Sequence, residues 1–426
     1  MGRAVIVGGA RTPFVRAFGP FYDMDTIDLG CAAVRGMLER YGVPFDAVQG
    51  IVWGGVILPS GAPNVAREIG LDLGLPHSVD AMTVSRACAS GLQAITLAAA
   101  AIERGEADVV IAGGSDSTSA SRLELPASLM QKVAPVALSK KSGVMDYLKL
   151  MGKISPRRDL IPKRPAIAER TTGELMGEAC ERMAERNEIA REDQDRLALA
   201  SHQRAAAAIA DGRFDGEVIA VETKRGTVRD DQIVRGDSSL ERLAKLRAVF
   251  ADGGTLTAGN SSTLTDGAGA VLLMSEEKAK ELGLTPLAAV RSWSYVGVDP
   301  ADQLLIGPAL AMPDALDRAG KTLEEMDFVD IHEAFAAQVL SVTKMLASDA
   351  FAKERLGKDA AVGTVDPEKL NVHGGSIALG HPFAATGARM VHTMARAVHE
   401  KGAGSTALLG ICAAGGIGAA AVLEAV

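Results

Sequence analysis

Two distant stretches of the chain follow one plan. CASGLQAITLAAAAIERGEADVVIAGG (88–114) and GHPFAATGARMVHTMARAVHEKGAGSTALLGICAAGG (380–416) each run from a tight turn of small residues into a helical pattern. A glycine-containing stop and a short apolar strand follow. Helices and strands that alternate this way bury their faces only in layers, so the plan predicts an α/β architecture. Its recurrence once in each part of the chain predicts two similar α/β halves. Strand patterns fall at 4–9, 50–56, 108–114, 288–298 and 328–335, and helical ones around 25–41, 89–104, 314–320, 335–347 and 386–401. Ser405 to Val426 carries one charge, Glu424, and is long enough to span a bilayer. Its glycines, an adjacent pair among them, instead predict two buried strands joined by a turn.

At 426 residues the chain exceeds one ordinary core. Apolar residues at 47% and charged residues at 23% exclude wholesale disorder. A net charge of −8 and only 4% aromatic residues argue against a global nucleic-acid grip and against stacking on bases. The start, MGRAVIVGGARTPF, reads as a strand with neither a secretory nor a transit pattern, which predicts a cytoplasmic protein. The texture changes between about 120 and 250, where helical patterns dominate. From Gln131 to Arg170 ten Lys or Arg residues face three acids. This front end reads either as a solvated lobe or as a lid meeting an anionic ligand, an anionic membrane or a partner protein.

Four positions stand out chemically. Cys88, in SRACASGLQA, opens a helix whose positive end would lower the thiol pKa. Read singly, it would more often be a small buried hydrophobe. His381 lies in NVHGGSIALGHPFAATG, a glycine-rich loop that would present a rigid imidazole before a helix. His332 opens HEAF at the end of the strand FVDI, where sites gather in α/β folds. Cys412 ends a buried strand in GICAAGG. Two thiols and two imidazoles at element ends suit covalent thiol catalysis with proton shuttling. A Cys₂His₂ zinc site competes, but no two of these residues lie within five positions of each other. Cys31 and Cys180 are expected to pack, and His373 and His392 to be surface or packing residues.

Taken together, the motifs resemble those of the thiolases over essentially the whole length. SRACASGLQA is similar to the nucleophile segment, HEAF to the (N/H)EAF box, GGSIALGHPFAATG to the GGxIAxGHPxGxxG box, and CAAGGIG to the final cysteine loop. TAGNSSTLTDGAGAVLL (257–273) resembles the TAGN…DGA segment. The His at 332, with Ala384 and Ala414 in place of family glycines, resembles the subgroup containing the β subunits of fatty-acid-oxidation multienzymes.

The resemblance implies a layered αβαβα fold. The N-terminal half would span 1–121, completed by 252–276; a mostly helical loop domain would be inserted at 122–251; the C-terminal half would span 277–426. It implies acylation of Cys88 by a 3-ketoacyl-CoA, activation of Cys88 by His381, and Cys412 as acid/base at the acetyl Cα. His332 and His381 would line one oxyanion hole, and the N–H groups of Cys88 and Ala414 another. Coenzyme A would be a substrate, with no metal or other cofactor. Arg235 matches the family position beside the adenine and Ser262 the one near the pantetheine; read from the residues alone, they are an exposed charge and a helix cap. The basic 132–164 stretch could reach the ribose phosphate.

The implied activity is acetyl-CoA C-acyltransferase, a 3-ketoacyl-CoA thiolase of fatty-acid β-oxidation. The alternatives are the acetoacetyl-CoA-forming C-acetyltransferase, a decarboxylating condensing enzyme, and a non-catalytic lipid carrier or scaffold. Implied partners are a second copy of the chain, as dimer or tetramer, and a hydratase/dehydrogenase α subunit. Residues 136–162 are expected to form an amphipathic element for that subunit or for a membrane surface, with Val144, Tyr147, Leu148 and Met151 at helical spacing.

Overall fold

A computed structural model of the chain describes residues 2–121, 126–161 and 168–426. Among them, ten strands form one mixed sheet. From one edge the order is Phe328–Ile331, Thr406–Ala413, Ile417–Ala425, Ala288–Gly297, Ala4–Arg11, Thr265–Ser275, Val109–Asp116, Gly50–Gly54 and Asp80–Val84. Val15–Arg16 pairs beside Thr265–Ser275. The join between the halves is short: Val5 and Ile6 pair with Ala289 and Ala288.

Pairing repeats on either side of that join. In the first half, Ala4–Arg11, Thr265–Ser275 and Val109–Asp116 pair antiparallel in turn, and the last of these pairs parallel with Gly50–Gly54. In the second half, Ala288–Gly297, Ile417–Ala425, Thr406–Ala413 and Phe328–Ile331 repeat the same two antiparallel steps and one parallel step. The duplication read from the helix–strand units is therefore a duplication of sheet topology.

Alternation along the strands builds the layers. Ile6, Val110, Val271 and Leu273 pack with Leu92 and Ile95 of the helix Ser90–Glu103. Leu409, Ile411, Ala419 and Ala421 of the second half join the same cluster, with Met390 and Met394 of the helix Ala384–Lys401. Their sequence neighbours point the other way. Val5, Val109 and Leu272 pack with Leu29 and Val34 of the helix Thr26–Tyr41, while Leu408, Ala420 and Val422 pack with Met312 and Leu316 of the helix Gly307–Ala319. One helical layer is thus shared between the two half-sheets and each half carries another outside, because successive strand residues face opposite sides.

Several expected elements change extent. The strand expected at 328–335 ends at Ile331; His332 still donates to Gly410 O (2.8 Å), and Glu333 turns into a buried polar network. The helix expected at 314–320 begins at Gly307, since Pro308 sits where a helix needs no N–H. Thr265–Ser275 lies inside the sheet although Gly267 and Gly269 mask its β pattern. The C-terminal stretch forms two antiparallel strands, and no helix among the described residues is long and apolar enough to cross a membrane.

Residues 121–168 form a separate compact unit. Residues 169–251, with the helices Met176–Arg186 and Arg191–Ala210, belong to the main unit. Within the small unit, helices span Ala127–Ala137, Val144–Met151 and Pro156–Asp159, and Lys132 pairs with Asp159 at 2.6 Å. Val144, Tyr147, Leu148 and Met151 are all exposed, whereas Leu150 is buried. Pro162, Lys163 and Arg164 of the expected basic stretch lie outside the described residues.

Candidate active site

Cys88 and His381 occupy corresponding places in the two halves. Each lies just before one of the paired helices of the shared layer, Ser90–Glu103 and Ala384–Lys401. These helices touch backbone to backbone at their first turns. A Cβ on Gly91 would fall 2.2 Å from Ala384 O, and one on Gly387 would fall 2.5 Å from Leu92 N. Only glycine permits that approach, and the approach brings Cys88 Sγ within 3.2 Å of His381 Nε2. Both turns hold non-glycine residues in the left-handed region, Ala87 at φ 46° and Phe383 at φ 33°. Such residues cost on the order of 1–3 kcal/mol each and persist where the surroundings impose them. The Ser90 hydroxyl fixes the cysteine turn by accepting the Arg86 N–H (2.7 Å) and donating to Ala87 O (2.6 Å).

His381 is oriented from behind. With its ring proton on Nδ1 donating to Thr386 Oγ1 (2.7 Å), Nε2 is free to accept the Cys88 thiol proton. Burial, reinforced by Arg389, lowers the imidazole pKa to about 3, so the base rests neutral. The thiolate expected at Cys88 from its helix N-terminus is corrected. Enclosure of the sulfur pushes the thiol up to about 12; the Ala414 N–H directed at it lowers it again in part, and Asp116 raises it. Desolvation outweighs the helix dipole, so Cys88 rests as a thiol and loses its proton to His381 as it attacks.

His332 Nδ1 lies 2.8 Å from Ser376 Oγ, while its Nε2 is buried without a partner. Its ring centroid stands 4.2 Å from that of His381, and burial holds its pKa well below the usual value. With Nδ1 accepting from the Ser376 hydroxyl, Nε2 carries the ring proton and is a donor awaiting an oxygen beside the reacting pair. Cys412 is buried, and burial followed by the proximity of Cys88 raises its thiol well above the usual range, the state of an acid. Ala414 is absent from the left-handed region, as an L-residue supplying an N–H requires, whereas Gly415 and Gly416 adopt φ 84° and 67°. Glu169 Oε2 accepts the Gly415 N–H (2.9 Å) and pins this loop.

Each half of the chain matches a family model: the thiolase N-terminal domain over residues 4–277 and the thiolase C-terminal domain over 284–425. The chain belongs to the thiolase family. It is 46% identical over 425 residues to a 3-ketoacyl-CoA thiolase of Yersinia pestis (strain Pestoides F), covering 99% of this chain and 97% of the relative. Two solved structures are also similar. The acetyl-CoA acetyltransferase of Bacillus anthracis superposes with a TM-score of 0.83 at 33% identity, covering 100% of this chain and 99% of that one. Human mitochondrial 3-ketoacyl-CoA thiolase in complex with CoA gives 0.83 at 31%, covering 100% and 98%. The family and fold read from the boxes are those found.

In this thiolase, five of the seven residues singled out from the sequence, Cys88, His332, His381, Cys412 and Ala414, converge, Ala414 through its N–H. Sγ of Cys88 and the imidazoles also lie within 4.8 Å of one another, a spacing a metal could use; here one imidazole nitrogen is already engaged by the thiol. Ser262 is not a helix cap. Its N–H donates to Ala334 O (3.0 Å), and Ser261 and Leu264 bridge to Phe335 and His381, so the TAGN segment knits both histidine loops together. Arg235 is exposed, and its N–H donates to His202 Nδ1 (3.2 Å).

Sequence reasoning did not single out the supporting residues. Thr386 and Ser376 aim the histidines. Glu333 accepts from Ser201 Oγ (2.7 Å), Asn371 Nδ2 (2.7 Å) and the Ile377 N–H (3.1 Å), shaping the loop that carries Ser376. Thr386, Ser376 and Glu333 all stand inside quoted boxes, and position within a box is the signal that would have flagged them.

Proposed function

We propose that this thiolase is an acetyl-CoA C-acyltransferase that cleaves 3-ketoacyl-CoA with CoA. The observation that carries the reading is the Cys88–His381 contact of 3.2 Å, flanked by the neutral Cys412 thiol and the unpartnered His332 Nε2. Cys88 Sγ attacks the 3-keto carbon while its proton passes to His381. The C2–C3 bond breaks, and the Cys412 thiol protonates C2 of the departing enolate, giving acetyl-CoA and an acyl thioester on Cys88. The Cys412 thiolate then takes the proton of incoming CoA, whose sulfur attacks the thioester, and Cys88 recovers its proton from His381. Charge develops on two oxygens. His332 Nε2–H with His381 serves that of the thioester, and the N–H groups of Cys88 and Ala414 serve that of the ketone. Donors of this kind are typically worth about 2.7–4 kcal/mol each.

CoA enters as substrate, and the chemistry needs no metal or other cofactor. Arg235 and Ser262 are assigned to the adenine and pantetheine ends of CoA. The halves at 1–121 with 252–276 and at 277–426 supply the catalytic groups, and 122–251 supplies contacts to CoA or a partner. We place the enzyme in the cytoplasm, in fatty-acid β-oxidation, as a dimer or tetramer. The exposed apolar side of Val144–Met151 is its contact with a membrane surface or a hydratase/dehydrogenase subunit; unchanged liposome flotation and unchanged subunit pull-down after deletion of that helix would exclude both. A non-catalytic carrier has no use for a thiol held on a base.

The deciding experiment is CoA-dependent thiolysis across 3-ketoacyl-CoA lengths from C4 to C16, with wild type and Cys88→Ala in parallel. Activity that extends to long chains and vanishes in the variant supports the degradative enzyme. Activity confined to C4 moves the assignment to the acetoacetyl-CoA enzyme, and activity retained by the variant refutes the nucleophile.

A further inference from the structure

One buried carboxylate beside the reacting pair takes no part in the steps above. Asp116 ends the first-half strand Val109–Asp116 and is fully buried. Its Oδ1 accepts the N–H groups of Val56 (2.9 Å) and Ile57 (2.6 Å), and its Oδ2 accepts the N–H of Ala384 (2.9 Å) from the second half. Ala384 opens the helix that follows His381 and Pro382. That helix has no side-chain cap of its own, since the cap position is Phe383 in its left-handed conformation. A carboxylate on the first free N–H of a helix satisfies an orphan donor and faces the positive end of the dipole, which is the work of a cap. The fit is close: a Cβ on Gly114 would fall 2.6 Å from Ala384 O.

We propose that Asp116 is a positioning residue, a cap delivered from the first half that holds the Pro382–Phe383 turn and so sets the aim of the His381 imidazole on Cys88. The inference rests on the thiolase reading above. Two groups of neighbours face the carboxylate: the backbone N–H groups of Val56, Ile57 and Ala384, and the Cys88 thiol, whose pKa its charge raises. Burial pushes the Asp116 carboxyl up to about 7 against those three N–H donors. The cap therefore weakens as pH falls through the neutral range, and kcat falls with it.

The test is Asp116→Asn. The amide can keep its oxygen toward Val56 and Ile57, but it then turns an NH₂ toward the Ala384 N–H, donor against donor. In the folded variant kcat is expected to drop about 10- to 100-fold, as for a misplacement of about 1 Å, with KM for CoA within about twofold. The inflection near pH 7 in the wild-type kcat profile should be lost. An unchanged kcat, a parallel rise in KM, or a retained inflection overturns the inference. Should the variant fail to fold, the wild-type profile decides. An inflection with the slight temperature dependence of a carboxyl supports Asp116; none, or the steep dependence of an imidazole, overturns it. A wild type without thiolysis at any chain length refutes the thiolase reading instead, before Asp116 is in question.

Discussion

Gly91→Ala separates two opposing effects at one position. Within a helix alanine is favoured over glycine, by about 1 kcal/mol at interior positions and by less in the first turn where Gly91 stands, so local propensity alone predicts a somewhat more stable protein. The crossing with the second-half helix predicts the reverse. The new Cβ would lie 2.2 Å from Ala384 O, and ordinary contact begins at 3.4 Å, so the helices must part by about 1.2 Å. Because Cys88 and His381 precede these two helices, a parting of that size stretches the 3.2 Å contact beyond hydrogen-bond reach. Overpacking of this kind costs about 1–3 kcal/mol, and a misplacement of about 1 Å costs on the order of 10²-fold in rate. Thermal melts and steady-state thiolysis should show a lower Tm and a kcat reduced about a hundredfold, while Gly61→Ala, with open space at its Cβ, changes neither. A Gly91→Ala enzyme as stable as wild type with kcat within about twofold would refute the argument that this crossing sets the reacting distance.

Two further outcomes follow from the same geometry. Cys412→Ala should still acylate Cys88 from an acyl-CoA but lose exchange of the acetyl-CoA methyl protons with deuterated water, read by mass spectrometry; retained exchange would put the carbon acid elsewhere. The second concerns acid stability. Burial lowers the pKa of His381 and His392 to about 3, and of His202 and His373 to about 4. At these four sites the unfolded chain therefore binds more protons between these values and the ordinary 6.5, so their contribution to stability is full above about pH 6.5 and is lost as pH drops toward 3, against the opposite contribution of the raised Asp116 carboxyl. His392→Leu should make that decline shallower in pH-dependent melts without touching kcat; an unchanged slope would show that His392 is not buried neutral.

Much of this was legible because residues in tight turns advertise themselves. Glycine spacing around Cys88, His381 and Cys412 marked all three, and the repeated helix–strand unit gave the duplicated architecture. The failures have physical causes. Gly267 and Gly269 hid a strand that lies inside the sheet, since Gly267 packs close against Phe14 and Pro382 and Gly269 against the helix Ala384–Lys401, which excludes the side chains that signal β structure. The resting state of Cys88 was misjudged because a helix dipole can be read from local sequence, whereas the groups that enclose a sulfur come from both halves of the chain. Asp116 was invisible for the same reason: its three partners lie at Val56, Ile57 and Ala384, and nothing near it in sequence marks it.

The duplication carries a last consequence. Nucleophile and base stand at equivalent positions of two near-copies, facing each other where the copies meet. Were the copies identical there, the contact would join like to like. Two thiols would lack a base, and two imidazoles would lack a nucleophile able to leave again as a thiolate. The reaction therefore depends on a difference between the halves at these two positions, and a change that restored their symmetry at either one would silence the enzyme.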